Sequence, residues 1–169
     1  MDTLVLRLFA TSLLVLTACL VAFDSQTKLL FYSIVRKASF RDLNALSILV
    51  WVDSAAAAYN VLQILRSRLF PQMDKNLAWF GYFLDQAVAY LVFAANSAAL
   101  QGCVFAVSGQ SNFGWMKVCD RYTRFCIQIG GALMCGYAAC LVMAVISSLS
   151  AYGLFRLYSP KHFLQLKHQ

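Results

Sequence analysis

Four apolar runs, at residues 4–23, 43–65, 77–107 and 127–155, leave this chain few ways to fold. A helix needs roughly 20 residues to cross about 30 Å of hydrocarbon, and every run reaches that length. Lipid offers no partner for backbone N–H and C=O groups, so a crossing segment is either a helix or a strand of a closed barrel. Barrel strands alternate apolar and polar residues, and these runs do not. The chain therefore reads as an all-α membrane protein, a four-transmembrane-helix bundle made of one membrane domain. Arg41-Asp42, Arg66-Ser67-Arg68, Ser108-Gly109-Gln110 and Ser159-Pro160-Lys161 separate or end the runs. Trp79, Tyr82, Tyr152 and Tyr158 stand near run ends, where amphipathic rings favour the headgroup region.

Composition removes the soluble alternative. Hydrophobic residues make up 61% of the 169 and charged residues 12%, against roughly 45–50% and about 25% in soluble domains. Mean hydropathy is +0.66. The segments between runs are too short to build a core of their own. A net charge of +7 raises the question of nucleic acid. The Lys and Arg residues are spread over every connection and the tail instead of forming one face or stripe, so no nucleic-acid partner is expected.

The first run invites a second reading. Leu16-Thr17-Ala18-Cys19 fits a bacterial lipoprotein cleavage box, with Arg7 as its positive leader. The apolar stretch continues to Phe23 and three more runs follow, so a retained helix is expected. Antiparallel crossing places residues 24–42 and 108–126 on one side, and residues 66–76 and the tail 156–169 on the other. The 14 basic residues divide equally between the two sides, so the positive-inside rule does not choose.

The cysteines do choose. Cys19, Cys103, Cys135 and Cys140 lie within runs, where a thiol behaves as a small hydrophobe. Cys119 and Cys126 share the third connection, at a spacing too wide for a redox Cys-x-x-Cys and with no ligands nearby to complete a zinc set. Two readings stand: a structural disulfide, or two unpaired thiols. A disulfide needs an oxidising compartment, which would make residues 24–42 and 108–126 outer loops, residues 66–76 a cytoplasmic loop and both termini cytoplasmic.

Arg7, Asp53 and Asp85 fall inside runs. A charge at mid-bilayer costs roughly 2.5–3.5 kcal/mol, so each needs a partner, a neutral form or water. Asp85, Ala89, Val92, Asn96 and Ala99 share one helix face, and Arg7, Thr11, Ala18 and Ala22 share another. The first and third helices run in the same direction, and Arg7 and Asp85 lie one to two turns from the same end. A structural intramembrane pair between Arg7 and Asp85 is expected. A proton or ion relay is the alternative, and only Asp53 could continue it. Ser54–Ala58, Ala95–Ala99 and Gly131 with Cys135 have the small-xxx-small spacing that lets helices approach closely.

Specific residues add a resemblance. Tyr82-Phe83-Leu84-Asp85-Gln86-Ala87-Val88-Ala89-Tyr90-Leu91, the outer-loop motif of Trp115 with Cys119 and of Phe125 with Cys126, Ser39-Phe40-Arg41-Asp42-Leu43 and Ser150-Ala151-Tyr152 occur in the order found in the plant Casparian strip membrane domain proteins. The chain resembles that family and its CASP-like relatives over nearly its whole length. The resemblance implies a MARVEL-like four-helix bundle in the plasma membrane, both ends cytoplasmic, forming homo-oligomers and hetero-oligomers with related four-span proteins. Founding members build membrane platforms that guide lignin deposition, so cell-wall enzymes are implied partners. It also implies that Arg7 and Asp85 are the family's intramembrane Arg and Asp, and Cys119 and Cys126 its outer-loop cysteines. Residues 26–42 lack the stretch distinctive of founding members, and Asp53 and Gly153 depart from the pattern, so the chain looks CASP-like.

The expected function is a non-enzymatic scaffold that assembles laterally, with the lipid bilayer as its constant partner. No catalytic, cofactor-binding or metal-binding residue is assigned. One alternative is a small channel or transporter using Asp53 and Asp85, although the runs contain no helix-breaking proline and no internal repeat. A remoter one is a membrane thiol oxidoreductase, which would want a Cys-x-x-Cys pair that the chain lacks.

Overall fold

The computed structural model describes residues 2–30, 34–39, 44–69, 75–109, 119 and 123–158. Trp115, Pro71 and the Ser159-Pro160-Lys161 break lie outside them, as does the side chain of Tyr158. Helices α1 (Asp2–Ala22), α2 (Asn44–Leu69), α3 (Lys75–Ser108) and α4 (Thr123–Tyr158) make up the bundle. All four are long and apolar enough to cross a membrane. They extend past the apolar runs because a helix continues through polar residues into the headgroup layer, where backbone groups still favour internal bonding. Gly109 stops α3. Its φ of 64° is left-handed, and its N–H reaches the Phe105 carbonyl at 2.9 Å, a cap that costs a residue without Cβ little.

Each helix packs on its neighbours in a closed ring: α1 on α2 and α4, α3 on α2 and α4. Consequently α1 faces α3 across the diagonal. The core forms three successive layers. Val21, Leu46, Leu49, Ala95, Ala99, Phe125, Ile129 and Leu133 fill the end near the α1–α2 connection. Leu14, Ala56, Ala57, Val92 and Ala139 fill the middle, and Ala10, Met143 and Ile146 the other end. Small residues dominate the middle layer, which lets the backbones approach, as membrane helices require when burial alone supplies no drive. Large apolar side chains such as Trp51, Phe93, Met134 and Phe155 point outward, the orientation that lipid solvates.

The connection after α1 holds a feature the sequence reading does not contain. Strands β1 (Ser25–Leu30) and β2 (Ile34–Ser39) form an antiparallel hairpin, with Ser25 opposite Ser39 and Leu30 opposite Ile34. An isolated two-stranded hairpin is marginal in water. This one follows α1 after two residues and touches α4.

Candidate functional site: a polar clasp across four helices

The site begins with Asp85 on α3, whose residue is 2% exposed. Across the diagonal, the Arg7 guanidinium of α1 donates to both carboxylate oxygens. Its Nη1 lies 3.0 Å from Oδ1 and its Nη2 2.6 Å from Oδ2. This is the bidentate fork that a planar guanidinium makes with a carboxylate. Two hydroxyls complete the shell: Tyr59 of α2 donates to Oδ1 at 2.7 Å, and Ser150 of α4 to Oδ2 at 2.8 Å. Asp85 thus accepts four hydrogen bonds, and all four helices meet at one carboxylate.

Further bonds hold the donors in place. Gln63, one turn beyond Tyr59, donates to the Tyr59 hydroxyl at 2.7 Å. Asn60 accepts from Arg7 Nη1 at 3.3 Å, while its own amide donates to the Ala56 carbonyl at 3.0 Å. One turn inward, Ser147 donates to Gln86 and ties α4 to α3 a second time. A charge buried in lipid is tolerated only when it is paired and its remaining lone pairs are met. Both conditions hold here. Arg7 is the more open partner, its side chain 14% exposed.

Asp53 lies elsewhere. It sits on α2, about 9 Å along the axis from Tyr59 at 1.5 Å per residue, between the end and middle layers of the core. It is fully buried, and neither carboxylate oxygen has a hydrogen-bond partner. Asn96 on α3 presents a similar case. Its amide nitrogen bonds the Val92 carbonyl at 3.0 Å, but its Oδ1 is unmatched. Gly136 of α4 makes room for that amide, since a Cβ there would fall within it. The structure therefore does not bring the two aspartates together, and among the described residues no hydrogen-bonded series of ionisable groups runs from one to the other.

At the opposite end a disulfide joins Cys119 to Cys126, seven positions apart with Cα atoms 5.7 Å apart. It fastens Cys119, four positions ahead of α4, to that helix's first turn, and Phe125 next to Cys126 is buried in the end layer. Trp115, the other member of the outer-loop motif, lies outside the described residues. Gln128 on α4 donates to the Leu20 carbonyl at 3.1 Å, pinning α4 to the last turn of α1. Asp24 is buried beside this contact, and burial pushes its carboxyl above the ordinary range, partly offset by Arg124. Among the described residues no cluster of His, Cys, Asp and Glu is arranged to hold a metal ion.

Sequence reasoning singled out Arg7, Asp85, Cys119 and Cys126 but not Tyr59, Asn60, Gln63 or Ser150. Tyr59 and Gln63 carried a usable signal: polar side chains one turn apart in an apolar run, on a face at the depth of Asp85. Ser150 entered only as part of a motif of the resemblance, with nothing to mark it as a partner of Asp85.

A Casparian strip membrane protein domain matches residues 2–142. The chain is 57% identical to CASP-like protein 2C1 of Vitis vinifera, over 96% of this chain and 82% of that one. It is 52% identical to CASP-like protein 2C1 of Populus trichocarpa, over 96% and 93%, and 51% identical to CASP-like protein XL3 of Gossypium hirsutum, also over 96% and 93%. No solved structure matches it. With four helices fit to cross a bilayer and a family domain spanning most of its length, the chain belongs to the Casparian strip membrane protein family.

Proposed function

We propose that the protein is a non-enzymatic scaffold of the plasma membrane. It assembles laterally with copies of itself and with related four-span proteins, keeps both termini in the cytoplasm, and holds cell-wall-modifying enzymes in place. The observation that carries this reading is which small-residue faces the bundle leaves unused. Ala95 and Ala99 are consumed in the core. Ser54 and Ala58 on α2 remain open to lipid. So does Gly131 on α4, where an added Cβ would meet no atom within 4 Å. Small residues exposed to lipid permit close helix contacts between molecules, and such contacts need no aqueous surface.

Trp51 extends the α2 face one turn away and is 78% exposed. The clasp supports the same reading in another way. A carboxylate met by four donors is a fixed joint and has no lone pair left for a passing ion.

The test is the size and mobility of the assembly. In a native membrane the protein should diffuse slowly and survive mild detergent as an oligomer. Ala58→Phe and Gly131→Leu should release smaller, faster species with the fold intact. An impermeant thiol reagent should label Cys119 and Cys126 only after reduction, from outside the cell; labelling without reductant would remove the basis for the orientation.

A transport reading draws on the unpartnered carboxyl of Asp53 and on a cavity beside Asp85. It expects solute flux in liposomes that disappears with Asp53→Asn or Asp85→Asn. Such flux from a freely diffusing monomer would overturn the scaffold.

A further inference from the structure

Between α3 and α4 runs a groove of about 530 Å³, a volume typical of small-molecule sites. Tyr90, Phe93 and Leu141 along it are exposed, so it opens sideways to lipid. We propose that it binds a sterol, with the hydroxyl between Gln86 and Ser148 and the fused rings beside Ala89, Cys140 and Ala144.

Length is the first argument. One end of the groove is marked by Gln86 and Ser148, where Ser147 bonds Gln86. The other is marked by Phe93 and Tyr137, which meet edge to face with ring centroids 6.3 Å apart. From Ser148 to Tyr137 is about 16 Å at 1.5 Å per residue, close to half of the roughly 30 Å of hydrocarbon. With the middle 20 or so residues of each helix in hydrocarbon, Gln86 and Ser148 lie about 3–6 Å inside its edge. Phe93 and Tyr137 then lie near the midplane. The groove therefore suits a molecule one leaflet long, polar at its interfacial end only.

Polar matching is the second. Gln86 accepts from Ser147 through Oε1, and its amide nitrogen has no partner among the described residues. Ser148 donates to the Ala144 carbonyl at 2.9 Å, which leaves the lone pairs of its oxygen open. An N–H donor and a hydroxyl acceptor thus stand together just inside the hydrocarbon. A single hydroxyl satisfies both, because it accepts and donates. A phospholipid ester carbonyl accepts but cannot donate, and an acyl chain does neither.

Shape is the third. Ala89, Cys140 and Ala144 are small and leave the space, while the rings of Tyr90, Phe93 and Tyr137 border it. A fused ring system has no rotamers to lose in such a groove, whereas a flexible chain must be ordered to fill it.

The full chain is reconstituted in phosphatidylcholine liposomes with a photoreactive sterol carrying a ring diazirine, irradiated, and mapped by peptide mass spectrometry. Labelling should saturate and fall on the α3 and α4 peptides that hold Gln86 and Ser148. Unlabelled cholesterol should compete at least tenfold better than cholest-5-ene, the same ring system without the hydroxyl. Ala144→Phe, which fills the groove from an exposed position, and Gln86→Leu, which removes the donor, should each weaken labelling fivefold or more. Ser148→Ala serves if Gln86→Leu does not fold, because the Ser148 hydroxyl bonds only its own helix. Equal competition by cholest-5-ene, or variants labelled as the parent is, would overturn the proposal. Labelling that spreads over all four helices without saturating would leave the groove to bulk lipid and overturn it as well. Labelling of monomers that is absent from oligomers would assign the groove to a second copy and overturn it as a sterol site.

Discussion

Two aspartates lie in this bundle at almost the same burial, 2% exposure at Asp85 and 0% at Asp53, in opposite circumstances. Around Asp85 each of the other three helices contributes a donor, and the carboxylate's lone pairs are all used. Asp53 lies along α2 between two core layers, and both of its oxygens are unmatched. Burial alone therefore says little about what a charged residue does for a membrane fold. What decides is whether the partners are present, because a paired buried charge and an orphaned one differ by several kcal/mol in the same surroundings.

The same substitution at each site tests the comparison most directly. Asp85→Ala leaves Arg7 unpaired in lipid and should cost about 3–5 kcal/mol, read as loss of folded yield and of thermal stability in detergent. Arg7→Ala should be comparably severe, and the double variant should recover part of the loss, since residues in contact are coupled. Simple addition of the two losses would mean that the pair is not the clasp's centre. Asp53→Ala should cost nothing and can gain about 1–2 kcal/mol, because it removes an unsatisfied buried group. A loss at Asp53 as large as that at Asp85 would break the comparison.

Smaller changes sharpen it. Tyr59→Phe and Ser150→Ala each remove one donor from Asp85 and leave the Arg7 fork intact. Interhelical side-chain hydrogen bonds in membranes average about 0.6 kcal/mol and reach about 1.7, so each loss should fall in that range. The smallest effect belongs to Asp24, outside the spans. Its carboxyl is pushed above the ordinary value of 3.8 by burial, so the folded form holds its proton more tightly than the unfolded chain. Stability should fall as pH rises through the window just above 3.8 and level off beyond it. Asp24→Asn should flatten that dependence in a thermal-unfolding series.

The sequence made the large terms legible and hid the small ones, for a physical reason. An apolar run of 20 residues has one outcome in lipid, so four helices could be read directly. A charge in such a run demands a partner, and matching depth left Arg7 and Asp85 facing each other. Hydroxyls make no such demand. Thr11, Thr17, Ser54, Ser97 and Ser148 all bond the carbonyl four residues back on their own helix, and Ser150 looks the same in sequence while bonding Asp85 instead. The hairpin was hidden because its strands lack the clean alternation that signals a half-buried sheet. The length of residues 24–42 was the available clue, since unstructured connections longer than about 12–15 residues are uncommon.

The clasp also sets a schedule for making the protein. Arg7 and Asp85 are 78 positions apart, and a ribosome adding about 5–20 residues per second needs roughly 4–16 s to cover that distance. Throughout that interval the first helix has emerged with its cation and without its counter-ion. Arg7 lies close enough to the end of α1 to keep its guanidinium among the headgroups meanwhile. The helix thus reaches its final depth only when the third one arrives, and nascent chains arrested before residue 85 should hold α1 nearer the membrane surface in a glycosylation-mapping assay than chains arrested after α4. Insertion of this protein ends with a charge being drawn inward by a partner that is synthesised half a chain later.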